Sequence, residues 1–223
     1  MAPPFSSEQF FAVFAQYNET VWPIQIVFVL CAVGSIAAVF LRPSSAKWVL
    51  GFLAMLWFWM GVAYHWLFFS RINPIAVVFG GAFVIEGALL LWYAWRTADL
   101  QFQPLLNTPG FLGGALVAYG LIVYPLLGLI LGHRYPMQPT FGLPCPTTIF
   151  TVGVLLWVRG RVPWPVLVVP AAWSIVGMSA VRFFGVVEDA MLPVAGLIGG
   201  ALLLWRNRQL PEERGNSAGR SAI

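Results

Sequence analysis

Ile75-Ala-Val-Val-Phe-Gly-Gly-Ala-Phe-Val-Ile-Glu-Gly-Ala-Leu-Leu-Leu-Trp-Tyr-Ala-Trp95 is an apolar run with a single ionisable carboxylate, Glu86, near its middle. At 1.5 Å per residue a helix of this length reaches about 30 Å, the thickness of a bilayer's hydrocarbon core. The run therefore reads as a membrane-spanning helix. The chain on either side repeats the pattern, with short polar turns between apolar runs.

Working outward, Ser70-Arg-Ile-Asn-Pro74 is the turn before this run, and Arg96 to Thr108 is the polar connector after it. The other expected spans are Val21–Leu41, Trp48–Phe69, Pro109–Gly132, Cys145–Val158, Trp164–Gly185 and Ala190–Trp205. The fold class is an all-α membrane protein of seven transmembrane helices over residues 21–206. Residues 1–20 read as an interfacial lead, with Phe10, Phe11 and Phe14 at helical spacing. That lead has Glu8 and Glu19, no basic residue and no apolar core, so it does not read as a cleavable signal peptide. Residues 207–223 read as a disordered cytoplasmic tail.

Composition agrees. Sixty per cent of the 223 residues are hydrophobic and 9% are charged, against roughly 25% charged in soluble domains. Eleven tryptophans suit interface belts. The net charge of +4 comes from basic residues in short loops. It reads as an orientation signal and a contact with anionic lipid, not as a nucleic-acid surface. Arg42, Lys47, Arg96, Arg159, Arg161, Arg206, Arg208, Arg214 and Arg220 fall on one side, and Arg71, Arg134 and Arg182 on the other. The positive-inside rule places the first set in the cytoplasm, with the N-terminus outside and the C-terminus inside.

An internal repeat is expected. Gly87-Ala-Leu-Leu-Leu-Trp92 recurs as Gly200-Ala-Leu-Leu-Leu-Trp205, and Trp57-x-x-x-Gly61 matches Trp173-x-x-x-Gly177. Two triplets of the same orientation around one linking span make a 3+1+3 parallel repeat, an architecture of small transporters. In topology alone this is similar to the sugar transporters known as SWEETs. No loop motif of that family is found, and no residue role is carried over.

Glu86 is the sharpest chemical signal. A carboxylate at mid-membrane costs roughly 2.5–3.5 kcal/mol by insertion scales and is commonly functional or partnered. Tyr119 in the fourth span reaches a similar depth, so a Glu86–Tyr119 hydrogen bond is expected. The functional alternative to a helix anchor is a proton or cation relay. His65, His133, Cys145 and the Glu188-Asp189 pair all fall toward the outer side. They form a weak metal-ligand set without an established spacing. Arg182, in the last turn of its span, calls for an anion. Glu188 or Asp189 is the expected internal partner, and a substrate anion the alternative. The carboxylates also suit the N-terminus of the seventh helix.

The remaining feature is Tyr135-Pro-Met-Gln-Pro-Thr-Phe-Gly-Leu-Pro-Cys-Pro-Thr-Thr-Ile-Phe-Thr151, preceded by His133 and Arg134. Its prolines exclude regular helix up to Pro146, which suits a first-turn position. Thr147 and Thr148 can satisfy free amides there. With His133, Arg134 and Cys145 they form an expected lid over the outer mouth, and Cys145 is a nucleophile candidate. Taken from Tyr124-Pro125 through Gly128 and Gly132-His133 to Thr151, the pattern resembles the signature of an uncharacterised bacterial integral-membrane family, a domain of unknown function. The resemblance spans residues 5–206. It implies a multi-pass fold in a bacterial inner membrane and lends no activity.

The preferred reading is a small permease for an unidentified solute or ion. Its pathway holds Glu86, Tyr119, His65, Arg182, Glu188 and Asp189. The alternatives are a receptor or metal-binding module, and an intramembrane enzyme using Cys145. Enzyme chemistry has little support: the chain has no His-Glu-x-x-His, no Gly-x-Ser-x-Gly and only two histidines. The residues name no cofactor. The expected partners are the bilayer and a small ligand or ion, without nucleic acid, and a homo-oligomer is compatible with this.

Overall fold

The computed structural model describes residues 4–97, 100–104 and 107–210. Eight helices among these residues carry the fold. They are α1 (Ser7–Thr20), α2 (Ile24–Leu41), α3 (Ala46–Arg71), α4 (Ala76–Arg96), α5 (Thr108–Ile130), α6 (Pro144–Leu156), α7 (Pro165–Phe184) and α8 (Val187–Gln209). Six of them, α2 to α5, α7 and α8, are long and apolar enough to cross a membrane. Each expected span has its helix, but α6 falls short of the others. Its 13 residues make a helix of about 20 Å.

Helix α6 is also enclosed by its neighbours. Every residue from Pro146 to Leu156 is buried. The other helices sheathe it, so it meets no lipid along its length. The opposite case is α2, which buries only the stripe Gln25, Phe28, Ala32 and Val39 and leaves Ile26, Leu30 and Val33 on the outer surface. Such a helix is apolar all round because lipid is its solvent. The closest approach to α6 comes from α5. A Cβ on Gly113 would stand 2.8 Å from the Gly153 carbonyl oxygen, and one on Gly153 would stand 2.9 Å from that of Gly113. Small residues at this crossing let the two backbones touch.

One end of the bundle gathers basic loops. Strand β1 (Gln101–Phe102) pairs antiparallel with β2 (Val158–Arg159), Phe102 opposite Val158. The Arg206 guanidinium donates to the carbonyls of Leu156 (3.0 Å) and Gly160 (3.1 Å). It thereby satisfies groups that the end of α6 leaves unpaired. Asn207 bonds both ways with Val162. Helix α8 accordingly runs on to Gln209, past the point where the tail was expected to begin. The rest of that expected tail, 211–223, lies outside the described residues.

The other end holds α1 and the Pro-rich segment. A capping box starts α1: Gln9 N–H donates to Ser6 Oγ and Ser6 N–H to Gln9 Oε1. The aromatic stripe of α1 turns inward, with Phe10, Phe14 and Tyr17 buried. Phe10 stacks on Phe184 of α7 at 4.3 Å between ring centroids. Buried Asn18 ties α1 to the Pro-rich segment. Its Nδ2 donates to the carbonyls of Pro136 (2.6 Å) and Gln138 (2.8 Å), and its Oδ1 accepts from Thr140 Oγ1 (2.8 Å). Gly142 ends the segment at φ +98°, with the Phe28 ring where a side chain would stand.

Three of the long helices widen into π turns: α3 over Met60–Phe68, α5 over Tyr119–Val123 and α8 over Val194–Gly199. Such turns are frequent at functional sites. Here they lie on helices that converge on one cavity.

Candidate functional site

At the Pro-rich end, the last turns of α5, the first turn of α6 and the first turn of α8 meet. Glu188 and Asp189 open α8 in a 3₁₀ turn, and both are buried. The Tyr124 hydroxyl donates to Asp189 Oδ1 at 2.6 Å. His133 Nδ1 lies 2.8 Å from Glu188 Oε1, as an ion pair when the ring is protonated. The Tyr119 hydroxyl donates to the Glu188 carbonyl at 2.8 Å. Gln138 Nε2 donates to the Pro125 carbonyl at 2.5 Å, which fastens the Pro-rich segment to α5. The Trp173 indole N–H is buried nearby without a hydrogen-bond partner.

Behind this cluster is a cavity of about 220 Å³. Its walls come from α1 (Phe10, Phe14), α3 (Tyr64, Phe69), α4 (Phe79), α5 (Tyr124), α6 (Cys145, Pro146), α7 (Trp173, Gly177) and α8 (Asp189). Pro139 and Leu143 contribute from the Pro-rich segment. The cavity is lined largely by aromatic rings, and its polar lining is Asp189, Tyr124, Cys145, Asn73 and Ser179. An apolar cavity with a few convergent polar groups is the usual form of a small-molecule site.

The expected residues divide. Glu188, Asp189, His133, Tyr119 and Cys145 come together here. Glu86 does not join them. It is fully buried in α4 with no hydrogen-bond partner for either carboxyl oxygen. The expected Glu86–Tyr119 bond is not made, because the Tyr119 hydroxyl is turned to α8. His65 is also fully buried without a hydrogen bond. Its ring packs against Phe83 (4.6 Å) and Trp173 (5.2 Å). Arg182 is exposed, its guanidinium 5.8 Å from the Phe183 ring, and the expected ion pair with Glu188 or Asp189 is absent. His133 and Tyr124 hold those carboxylates instead. Arg134 is exposed. Thr147 Oγ1 accepts from Gly142 N–H at 3.0 Å, and Thr148 Oγ1 is buried without a partner. Among the described residues no group of three or more His, Cys, Asp or Glu is arranged to hold a metal. The weak set of His65, His133 and Cys145 is not assembled, because the His65 ring is enclosed by other rings.

Sequence reasoning missed Tyr124, Trp173, Gln138 and Asn18. A tyrosine before Pro125 and a lone asparagine in an aromatic lead are faint signals, since neither has a spacing that demands a partner. The aromatic stripe of α1 was legible, but not the cavity it covers.

Fold and site together describe a helical, apolar membrane protein with a buried acidic pair at one end. The match of a family model to residues 7–214 makes the chain a member of the family of unknown function DUF6064. No curated protein and no solved structure matches the chain.

Proposed function

We propose that the chain is a small permease of a bacterial inner membrane, taking a small solute through the cavity at the Pro-rich end. The observation that carries this reading is the cavity itself, with aromatic walls, one carboxylate and a cover made from α1 and the Pro-rich segment. In this reading α6 is a seventh crossing, the plan is 3+1+3, and the N-terminus lies outside. The gathering of basic loops at the far end supports that orientation.

The inward route runs from the cavity past Trp173, His65 and Phe83 toward Glu86, one turn further along α4. An unpartnered buried carboxyl at that point is suited to relay a proton, so Glu86 is the expected coupling residue. The test is uptake into proteoliposomes of radiolabelled small solutes, one set each of neutral, anionic and cationic. Saturable uptake above protein-free vesicles that loses its response to a pH gradient in Glu86→Gln supports the reading. Saturable binding with no uptake would leave a receptor instead.

A further inference from the structure

We infer that the cavity beside Asp189 recognises a small organic cation, an ammonium group carrying a short oxygen-bearing tail. This deepens the permease reading but depends on it only for how the ligand leaves, since binding rests on the cavity.

Charge selects the ligand class. Asp189 is 2% exposed and faces the cavity. Tyr124 supplies it one hydrogen bond but no positive charge. Among the described residues no basic side chain pairs with it: His133 pairs with Glu188, and Arg182 faces outward. A buried carboxylate is costly unless a charge pairs with it. An anionic ligand would be repelled by Asp189, the one carboxylate in the lining. A neutral apolar ligand would strip water from Asp189 and return nothing. A cation answers the requirement.

The aromatic lining fits the same ligand. Phe14, Tyr64, Phe79 and Trp173 line the cavity. Ring faces attract an alkylated ammonium, tryptophan most strongly, as in aromatic cages for quaternary amines. The Trp173 N–H is buried without an acceptor, and a ligand oxygen can serve as one. Size agrees as well. An apolar cavity of about 150 Å³ takes benzene, so 220 Å³ takes a body slightly larger.

The test uses two molecules of the same shape. Choline and 3,3-dimethylbutan-1-ol differ in one atom, the charged nitrogen. Both are titrated calorimetrically into the full chain purified in detergent. Choline is expected to bind saturably, with the neutral isostere weaker by at least about thirtyfold, the scale of a lost buried charge pair. Asp189→Asn keeps the acceptor toward Tyr124 and is expected to remove that difference. Trp173→Phe keeps an aromatic face but removes the N–H and the larger indole surface. It is expected to weaken choline several-fold more than it weakens tetramethylammonium, which has no oxygen for the N–H. Equal binding of the two isosteres, or no choline binding, overturns the inference. The isostere comparison needs no variant, so a misfolded mutant cannot obscure it. Choline binding without vesicle uptake sinks the permease reading and leaves this one standing. Uptake of neutral solutes with choline ignored does the reverse.

Discussion

The Tyr124 hydroxyl donates a 2.6 Å hydrogen bond to Asp189 Oδ1, joining α5 to the first turn of α8 across 65 residues of chain. Both side chains are buried, at 1% and 2% exposure. The bond orients the one carboxylate that lines the cavity. Tyr124→Phe removes the donor and leaves Asp189 without it. The expected cost is about 1.5–3 kcal/mol, as for hydrogen bonds to charged groups. It is read as a lower unfolding midpoint in detergent. An unchanged midpoint would mean that another donor replaces Tyr124.

Glu188 is buried and His133 is its ion-pair partner. His133→Ala is expected to cost about 2–3 kcal/mol, because Glu188 is left buried with one fewer partner. Glu188→Gln removes the charge, and the double variant is expected to be less damaged than the two single losses added together. A double-mutant cycle by thermal unfolding measures the coupling. Additive losses would show that the pair contributes nothing as a pair.

Asn18 holds the Pro-rich segment through the carbonyls of Pro136 and Gln138 and the hydroxyl of Thr140. Asn18→Ala frees all three. The expected result is faster protease cleavage between residues 131 and 143, with cleavage elsewhere unaltered. Faster cleavage spread over the whole chain would point to general destabilisation instead.

Gly153 meets Gly113 where α5 crosses α6, while a Cβ on Gly114 would meet only the Trp157 ring edge at 3.8 Å. Gly153→Ala is expected to destabilise by about 1–3 kcal/mol, the range for overpacking. Gly114→Ala is expected to be neutral or slightly stabilising, since alanine favours helix. Equal unfolding midpoints for the two variants would remove this crossing as a tight contact.

Tyr17 of α1 gives an alkaline signature. Burial pushes its phenol well above the ordinary value, further than the Trp59 N–H bonded to it pulls it back. The folded state therefore keeps the proton at a pH where the unfolded chain has lost it. This contribution is constant below about pH 10 and is lost as pH rises above that value. Tyr17→Phe is expected to show a shallower fall in midpoint from pH 10 upward. Parallel curves for the two proteins would contradict it.

Much of the helical plan was legible because its cause is local. The run Ile75–Trp95 has to be helical whatever surrounds it, and α4 occupies Ala76–Arg96. Glu188, Asp189, His133 and Cys145 stood out as polar residues at span ends, and the fold brings them together. Their partners were not legible. The expected Glu86–Tyr119 bond followed from equal depth along two straight helices. Depth says nothing about which way a side chain faces, and the Tyr119 hydroxyl faces α8, where it meets the Glu188 carbonyl. Arg182 failed in the same way: its nearness to Glu188 in sequence does not set its direction, and Gly185 reverses the chain between them at φ +74°.

What the sequence determined by itself is the set of helices and the residues too polar for their setting. In an apolar solvent each backbone N–H and C=O needs a partner, and a helix supplies that partner within its own segment. What only the tertiary structure decided is that Tyr124 meets Asp189, that His133 meets Glu188, and that Glu86 and His65 meet no hydrogen-bond partner. It also decided that α6, the shortest of the expected spans, is sheathed on all sides. Those outcomes depend on helix rotation and crossing, which are set by side-chain contacts between segments far apart in the chain.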